Sequence, residues 1–588
     1  MTGAAMISAV RQRVPTGTAW LLRLIGAVVL LLSLTPLSPR HRDGVLETLS
    51  FSGLPVLGNA TAGLLCLLLA AGLAARKRAG WCGLVALLAL DAALLPPAAA
   101  LDLGLPGTTV TDAWLWWGCH GAVSALMLTL VISARGAFVA RTGTRGTVRA
   151  ISILGGSFGI AFALGWGLIT LFGHHHHDRS RASALFLLDR VLHSGDTIPA
   201  GPPYWIQLTL GLTGSVTVLV AAYVWLRPTR LDRRLSGHEE QRLRDLLDRA
   251  GEHDSLGYFA LRRDKTTIFS PSGKAAVCYR VLGGVSLAAG DPVGDPEAWP
   301  GAITAWLADA RRHAWAPAVL GTSERGATAY QRAGLHALNI GDEAVVETTT
   351  FSLSGRPMRA VRQAAGRIQR SGHQVRIRRL GEIPDEELVL AAGCADGWRD
   401  GPVERGYSMA LGRLGDPADA DYVLVECYDA AGGLRGLLGF VPWGPDGLSL
   451  DLMRRDRGDS GNGLVEFMVT ELISACPDLG VERLSLNFAL FRYVFARGDR
   501  IGAGPVLRFW LAVLRFASRW WQIESLYRAN EKYRPTWVPR YLCYGRARDL
   551  VRISCAAGAA EGFITIGRRP DSTVETPARQ LVGAPGRD

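Results

Sequence analysis

The sequence predicts a multi-spanning α-helical membrane domain joined to an α/β domain. The first observation is an uneven distribution of charge: residues 1–226 carry 15 Lys or Arg and 8 Asp or Glu, whereas residues 227–588 carry 49 and 44. The second is the composition, with 48% hydrophobic residues and a mean hydropathy of +0.16, which is too apolar for a disordered chain. The third is that strand and helix patterns alternate after residue 250.

Six apolar segments in the first part are each long enough to cross about 30 Å of hydrocarbon as a helix. They are Ala19–Leu37, Leu54–Ala75, Gly80–Ala100, Trp114–Ala134, Ala150–Phe172 and Trp205–Leu226. Basic residues concentrate in the second and fourth gaps and after the sixth segment, and basic loops stay in the cytoplasm. The pattern predicts a multi-pass plasma-membrane protein whose two termini and α/β domain are cytoplasmic.

Two polar features of the first part carry alternative interpretations. Asp91 lies within the third apolar segment, where it has a functional role or, if Pro96 and Pro97 end the helix early, an interfacial position. The run His174–His177 with Asp178 has the side chains of a metal site, but a surface loop is favoured because no second ligand cluster accompanies it. The cysteines form no CxxC pair, so we expect no metal.

The second part contains two similar runs of strands and helices. A charged linker and a helix, Glu239–Ala250, occupy residues 227–250, the runs cover about 251–380 and 381–567, and the tail 568–588 is predicted to be disordered. The predicted strands and helices are Tyr258–Leu261, Thr267–Phe269, Ala275–Val281, Gly284–Ala288, helix Gly301–Ala314 and Ala316–Leu320, then Tyr422–Tyr428, Leu434–Pro442, Leu448–Arg454, helix Gly463–Ala475 and Arg483–Phe488. This order is that of GNAT acyltransferases and predicts tandem GNAT-like folds.

A strongly basic stretch is assigned to the first run. Eight arginines and no acidic residue lie between Arg356 and Leu380. If residues 355–371 form a helix, Arg359, Arg362 and Arg370 lie within about 80° of one another and suit a phosphate backbone. We favour a polyanionic ligand over a solvated helix that touches anionic lipid.

Two further segments could bind anions or lipid. Residues 451–463, DLMRRDRGDSGNG, run from a strand into a helix whose amides could hold a phosphate or a tRNA terminus. This loop is longer and more acidic than the GNAT loop that binds acyl-CoA, which puts acetyl-CoA in doubt. Residues 505–521 combine aromatic side chains with arginines and fit either a lipid headgroup boundary or a buried helix.

Six motifs in order resemble the aminoacyl-phosphatidylglycerol synthases of bacteria, the multiple peptide resistance factor family. They are GDPVGD at 290–295, GDEAVVE at 341–347, FSLSGRPMRAVRQAAGRIQRSG at 351–372, DLMRRD at 451–456, SLNFALF at 485–491 and QIESLYRANEKYRPTWVPRY at 522–541. The resemblance spans about residues 255–565. It implies an aminoacyltransferase that moves an aminoacyl group, most often lysyl, from aminoacyl-tRNA to phosphatidylglycerol without a cofactor. Such a product lowers the negative charge of the membrane and gives resistance to cationic antimicrobial peptides.

The resemblance also implies site residues. Asp451, Arg454 and Lys532 match family active-site positions, and Glu524 is added on chemical grounds as a further catalytic candidate; a plain salt bridge between Asp451 and Arg454 is the alternative. Asn487, Arg492 and Tyr527 are likewise added on chemical grounds and, with Arg534, form the predicted substrate-binding set. The predicted tRNA-binding residues, from the basic stretch, are Arg359, Arg362, Arg367 and Arg370. We expect the segments that carry Asp451 and Lys532 to meet in one cleft.

The chain departs from the family in two respects. Many members have about fourteen spans with a flippase portion, and some carry a fused lysyl-tRNA synthetase, whereas this sequence predicts six spans and no synthetase. We therefore expect a short form that depends on a separate synthetase, and homo-oligomer formation is left open. The alternatives are a membrane-anchored acyl-CoA-dependent N-acyltransferase and a non-enzymatic lipid transporter.

Overall fold

The computed structural model describes residues 3–35, 39–50, 52, 60–103, 110–140, 144–172, 204–226, 234–399, 406–456, 458, 463–490 and 529–563. The chain divides into two compact units, a membrane unit formed mainly by residues up to 229 and a soluble unit formed mainly by residues from 230 onward. The division lies in the charged stretch that follows the last apolar segment.

The described part of the membrane unit is helical. Its helices are α1 Gly3–Leu34, α2 Pro39–Ser50, α3 Ala60–Ala74, α4 Arg78–Leu103, α5 Val110–Ser133, α6 Thr144–Phe172 and α7 Tyr204–Leu226. Each predicted apolar segment overlaps one of them, and the polar helix α2 was not predicted. Within the described ranges, Arg13–Leu34 and Leu115–Ser133 are long and apolar enough to cross a membrane, and Ala60–Ala74 and Ser215–Leu226 are shorter apolar helices.

Two glycines allow close packing of α1 against α3. A Cβ at Gly26 would lie 2.8 Å from the carbonyl oxygen of Gly63, and a Cβ at Gly63 would lie 3.0 Å from that of Gly26. Small residues at such crossings let the backbones of membrane helices approach each other. A larger residue at either position would force the two helices apart.

The basic residues of the second gap contact the ends of two other helical segments. The N–H of Arg78 donates to the carbonyl of Ala140 at 2.9 Å, and the Arg78 side chain donates to that of Phe138 at 3.4 Å. The Lys77 ammonium donates to the carbonyl of Leu226, the last residue of α7. The second gap, the start of the fourth gap and the end of α7 therefore lie at one end of the membrane unit.

Asp91 lies in the middle of a continuous helix. The helix does not end early at Pro96: α4 continues through both prolines to Leu103, and membrane helices tolerate proline. The Asp91 carboxylate accepts a hydrogen bond from Ser124 of α5 at 2.9 Å, and its Oδ2 lies 3.5 Å from Nε2 of His120. The early helix end on which the interfacial alternative was based is therefore not observed.

The soluble unit is built on one sheet with twelve described strands. They are β1 Thr266–Phe269, β2 Ala275–Leu282, β3 Val285–Ala289, β4 Val293–Gly294, β5 Ala316–Thr322, β6 His336–Glu347, β7 Gln374–Arg379, β8 Val423–Tyr428, β9 Leu434–Trp443, β10 Gly447–Arg455, β11 Arg483–Leu490 and β12 Thr536–Tyr544. Their order is β1-β2-β3-β5-β12-β6-β11-β10-β9-β8-β7, and β4 pairs with β2. The helices are α8 Gly237–Ala250, α9 Trp299–Arg312, α10 Glu324–Arg332, α11 Arg359–Arg370, α12 Asp385–Gly397, α13 Leu464–Leu479 and α14 Leu550–Ala560.

The sheet contains two similar repeats that exchange their last strands. In the first repeat, helix α9 connects the parallel strands β3 and β5, and in the second, α13 connects the parallel strands β10 and β11. Strand β12 of the second repeat pairs with β5 of the first, whereas β6 of the first pairs with β11 of the second. The tandem α/β architecture that the sequence predicts is confirmed, and the strand exchange joins both repeats into one sheet.

Alternate residues of the strands fill cores on opposite faces of this sheet. Along β2, Ala276 and Cys278 belong to a core that runs under both repeats, whereas Val277 and Tyr279 face the core beneath α9 and α10. In the second repeat, α11 and α13 cover a third core, which includes Phe440. This alternation is what a strand period of two residues requires.

Two local predictions differ from the structure. The predicted strand Tyr258–Leu261 is a 3₁₀ helix, Gly257–Leu261, because a short apolar run does not by itself distinguish a strand from a helical turn. The basic helix begins at Arg359 rather than Gly355, since Pro357 disfavours helical geometry at the residue before it. Its apolar face packs in the third core, so this helix belongs with the second repeat rather than the first.

Candidate active site

Strands β10 and β11 separate where the predicted site residues lie. The two strands are paired at three positions, the last joining Ser449 to Ser485. Beyond this point β10 stays paired with β9 and β11 with β6, and each strand carries a bulge. In the first repeat, the corresponding strands β3 and β5 stay paired over five positions. The second repeat alone therefore opens its sheet at this place, and bulges beside such openings redirect side chains.

Asp451 is the extra residue of the β10 bulge, between Leu450 and Leu452. Its half-buried carboxylate accepts a hydrogen bond from the hydroxyl of Tyr422 at 2.9 Å and another from the N–H of Leu411. A Cβ at residue 439 would lie 1.8 Å from the Tyr422 hydroxyl oxygen, so that only glycine leaves room for the tyrosine. These contacts hold the Asp451 carboxylate in one orientation.

Asn487 lies in the bulge of β11, where the register shifts between Ser485 and Phe488. Its φ is +68°, a left-handed conformation that asparagine tolerates better than most residues. The side-chain carbonyl oxygen of Asn487 is buried and accepts no hydrogen bond from any described residue. A buried acceptor of this kind needs a donor from a ligand, from a water molecule or from a part of the chain outside the described residues.

The segment that carries Lys532 is anchored at the β11 bulge. The amide of Asn530 donates to the carbonyl of Leu486 at 3.1 Å, and Tyr533 is buried in the third core. The Lys532 ammonium lies 2.7 Å from Oε1 of Glu466, in the first turn of α13. Arg534 is exposed and has a φ of +51°. The segment of Lys532 thus lies beside β11, the neighbour of the strand that carries Asp451.

The remaining predicted site residues divide between described and undescribed parts of the chain. Arg454 is half-buried on β10, opposite Leu437 of β9, and its Nη1 lies 3.0 Å from the carbonyl oxygen of Met453. Glu524, Arg492 and Tyr527 lie outside the described residues, as do the aromatic segment 505–521, the histidine run 174–177 and the tail 568–588. Within the described ranges, no group of three or more His, Cys, Asp or Glu side chains could hold a metal ion.

Helix α11 presents its arginines to solvent. Val361, Ala365 and Ile368 are buried beneath it, whereas the arginines at 359, 362, 367 and 370 are exposed. Arg362 donates to the carbonyls of Leu353 and Gly355; Arg359, Arg367 and Arg370 form no ion pair with any residue that the structure describes. Of the later arginines, Arg378 pairs with Glu387 and Glu426, and Arg379 pairs with Asp421. Within the part of the chain that the structure describes, the exposed face of α11 therefore carries positive charge that no acidic side chain compensates.

The arginine helix touches the start of α13. Gly463, just before α13, has a φ of +121°, and a Cβ there would lie 2.9 Å from the carbonyl oxygen of Ala364 in α11. Only glycine allows this conformation together with so close an approach. Helix α11, which carries the arginine face, therefore packs against the start of α13. The first turn of α13 contains Glu466, the partner of Lys532.

The sequence analysis missed the residues that hold the surroundings of Asp451. Residues 406–411, which supply the Leu411 N–H, are fixed by Arg262, whose guanidinium donates to the carbonyls of Gly406 and Ala410. Lys265 lies 4.7 Å from the centre of the Tyr407 ring, and complete burial lowers its pKa to about 8. These contacts come from the first repeat, so the first repeat supports the site of the second.

A second buried set, also missed, centres on Arg540 of β12. Its guanidinium bonds to Glu343 of β6 and donates to Asp254 at 2.7 Å. Glu343 in turn accepts a hydrogen bond from Ser485, the last residue of β11 that is paired with β10. Burial and the neighbouring Asp254 raise the pKa of Asp291 to about 6. The charge of Arg540 within the mainly apolar strand β12 was the available signal, whereas Glu343 follows another acidic residue in β6 and gave none.

Two protein families match the chain. Residues 244–544 match the C-terminal domain of phosphatidylglycerol lysyltransferase, and residues 10–226 match the transmembrane region of lysyl-tRNA synthetase. The first match covers just over half of the chain and includes every predicted site residue. The second covers the helices of the membrane unit, so that the chain carries a membrane region.

Several proteins named lysylphosphatidylglycerol biosynthesis bifunctional protein are similar. The one from Rhodococcus opacus is 47% identical over 85% of this chain and 44% of its own length, and the one from Mycobacterium marinum is 44% identical over 94% and 50%. The chain thus spans about half the length of these relatives. Among solved structures, the protein described as L-PGS from Bacillus licheniformis is 20% identical, with a TM-score of 0.49 over 57% of this chain and 100% of that one.

Proposed function

The chain belongs to the phosphatidylglycerol lysyltransferase family, and we propose that it transfers an aminoacyl group, most plausibly lysyl, from aminoacyl-tRNA to phosphatidylglycerol. The observation that carries this proposal is the opening between β10 and β11, with Asp451 and Asn487 at its two bulges. Its position corresponds to the place where a GNAT-like fold binds its acyl donor. Alanine and ornithine are the other amino acids that we consider.

The proposed reaction exchanges one ester for another. A glycerol hydroxyl oxygen of the lipid attacks the ester carbonyl carbon of the aminoacyl-tRNA, and the bond from that carbon to the ribose oxygen breaks. The proton of the glycerol hydroxyl ends on the released ribose hydroxyl. The protein must align the two substrates, transfer that proton and stabilise the developing oxyanion.

Asp451 and Asn487 suit a substrate that carries N–H and O–H donors. The Asp451 carboxylate takes the hydroxyl proton or binds the ammonium of the donor, and the unsatisfied Asn487 carbonyl accepts a further hydrogen bond from that donor. Arg454 and Lys532 supply positive charge for the oxyanion or for phosphates of the substrates. Glu524, Arg492, Tyr527 and Arg534 complete the proposed set.

The exposed arginine face of α11 is the proposed contact for tRNA. Its uncompensated charges suit a phosphate backbone, and Gly463 joins this helix to the start of α13, close to the pair of Glu466 and Lys532. A charged tRNA bound there would bring its aminoacylated end toward the opening. A synthetase must supply that charged tRNA.

We further propose that the membrane unit is multi-pass and that both termini are cytoplasmic. The basic second gap contacts the end of α7, which supports one shared end for these cationic segments. The aminoacylated product would carry added positive charge and would weaken the attraction of the membrane for cationic peptides. Transport of that product across the bilayer forms no part of the proposal.

Lipid analysis tests the proposal directly. Cells that express the chain should contain a new aminoacylated phosphatidylglycerol, identified by its mass, whereas cells that express D451N should form it about 10²-fold or more slowly. Purified full-length protein with phosphatidylglycerol vesicles should form the same lipid from lysyl-tRNA and none from acetyl-CoA. Transfer from acetyl-CoA would instead support the N-acyltransferase alternative, and the absence of any acyl product would support a lipid transporter.

A further inference from the structure

Glu466 is the partner of Lys532, although stability gives little reason for the pair. The Lys532 side chain is 45% exposed and the Glu466 side chain 17%, with 2.7 Å between Nζ and Oε1. Ion pairs this accessible to water add little to stability. A carboxylate in the first turn of a helix is also stabilised by the helix dipole without a lysine. Stability alone therefore does not explain why Glu466 and Lys532 are paired.

Contacts that do not involve Glu466 already hold the backbone around Lys532. Asn530 is bonded to Leu486, Tyr533 is 5% exposed in the third core, and the N–H of Tyr533 donates to the carbonyl of Asn530 at 3.1 Å. The four-carbon side chain of Lys532 is then the mobile part of this turn. The carboxylate of Glu466 removes that freedom by holding the ammonium at one point.

The segments that carry the pair are each connected to one of the two strands that separate. Helix α13 follows β10 through residues 456–463, so Glu466 lies close in the chain to the end of β10, and Asn530 binds the bulge of β11. We infer that Glu466 is a positioning residue, which holds the Lys532 ammonium where the donor ester or its phosphate enters the opening. The inference rests on the proposed function and adds to it a residue outside the predicted site.

The choice of lysine agrees with this role. The chain has 64 basic residues, and four of them are lysines, at 77, 265, 274 and 532. An ammonium is a compact charge with three donors, so that one carboxylate can hold it while other donors stay available to a substrate. The low lysine number also makes amine-reactive probes selective in this protein.

The test compares E466Q with wild type in purified full-length protein on phosphatidylglycerol vesicles. Removing the carboxylate charge should lower kcat for lysyl-tRNA by about tenfold or more and change KM by less than about twofold, because a misplaced group affects the reacting geometry more than tRNA binding. E471Q, on the same helix, is the matched control and should keep the wild-type kcat. The double variant E466Q/K532A should be no slower than K532A alone, since Glu466 acts through Lys532.

A charge exchange separates positioning from a structural ion pair, and a labelling experiment tests whether Glu466 restrains the Lys532 ammonium. In E466K/K532E the pair is restored with its polarity reversed, so a structural role predicts recovered activity, whereas positioning of the Lys532 ammonium predicts that activity stays low. Reductive methylation followed by mass analysis should show that Lys532 reacts several times faster in E466Q than in wild type, with the exposed Lys274 as internal reference.

The outcomes are distinct. An active wild type with full activity in E466Q, or recovered activity in E466K/K532E, would overturn the positioning role and leave the proposed function intact. A wild type that transfers no aminoacyl group from any charged tRNA would refute the proposed function, and the positioning role would fall with it.

Discussion

The hydroxyl of Tyr422 donates a hydrogen bond to Oδ2 of Asp451, with 2.9 Å between the two oxygens. Tyr422 is 1% exposed, and the absence of a side chain at Gly439 provides the space for its hydroxyl group. The N–H of Leu411 holds the other carboxylate oxygen. A carboxylate fixed on both sides has little orientation to lose when a substrate binds, which favours its use in transfer.

The first prediction concerns this pair. D451N keeps the size of the side chain but removes its charge, and it should lower the initial rate of lipid aminoacylation by about 10² or more. Y422F removes one hydrogen bond to a charged group, a contribution of about 1.5–3 kcal/mol, and should lower kcat by about tenfold. Both rates are measured with purified full-length protein on phosphatidylglycerol vesicles.

Y428F is the control for Y422F. The Tyr428 hydroxyl lies at the end of β8 and donates to Glu426 at 3.0 Å, away from Asp451. This variant should keep the wild-type rate. If D451N and Y422F accumulate normally in the membrane and both transfer at the wild-type rate, Asp451 has a structural role.

The second prediction concerns the arginine face of α11. R359A/R370A should raise KM for aminoacyl-tRNA more than it lowers kcat, because the changed groups lie outside the reacting geometry. If each arginine contacts one phosphate, the slope of log KM against log salt should become shallower by up to about 2. The measurement is a salt series of initial rates at varied tRNA concentration.

R546A/R548A removes the same charge from exposed positions near the start of α14. This control should keep the wild-type salt dependence, because its arginines lie outside the proposed tRNA contact. If net charge alone mattered, both double variants would change the salt dependence equally. An unaltered salt slope in R359A/R370A would return α11 to the alternative of a solvated or lipid-facing helix.

Local sequence patterns predicted the order of the strands and helices, but they predicted the candidate active site only in part. Alternating apolar residues placed β8, β9 and β10, and the apolar stripe of α13 gave its position, because these periods depend on neighbouring residues. The separation of β10 from β11 depends on bulges and on the choice of outer partner strands, which no local pattern encodes. The exchange of β6 and β12 between the repeats is hidden for the same reason.

Side-chain partners were the least predictable feature. Lys532 lies in a recognisable motif, but its partner Glu466 is 66 residues away in an ordinary helical pattern. Arg540 and Glu343 are 197 residues apart, and of the two only Arg540 carries its charge within a mainly apolar strand. A charge such as that of Arg540 signals a buried ion pair, although only the fold reveals which residue is its partner.

The third prediction concerns pH and Asp291. Burial raises the pKa of Asp291 to about 6 from an ordinary value of 3.8, so the folded state binds this proton more tightly than the unfolded state. Proton binding by Asp291 therefore adds up to about 3 kcal/mol to the free energy of unfolding. This contribution is complete below pH 3.8 and is lost as the pH rises through 6.

D291N has no such proton to lose. The Tm of each full-length protein is measured in detergent at pH 5 and at pH 7. From pH 5 to pH 7, the Tm of D291N should therefore fall less than the Tm of wild type. The comparison uses the change in each variant between the two pH values, so a constant cost of the substitution cancels. Parallel changes in the two proteins would contradict a raised pKa at Asp291.

The last prediction concerns orientation. The basic second gap contacts the end of α7 through Lys77 and Leu226, and basic segments stay in the cytoplasm. A reporter fused after Asp588 should therefore be active in the cytoplasm, where tRNA is present. The same reporter inserted within residues 104–109, between α4 and α5, should be active only on the outer side, because the helix α4 separates this gap from the basic end. A C-terminal reporter on the outer side would exclude aminoacyl-tRNA as the donor, and two reporters on one side would contradict passage of α4 through the membrane.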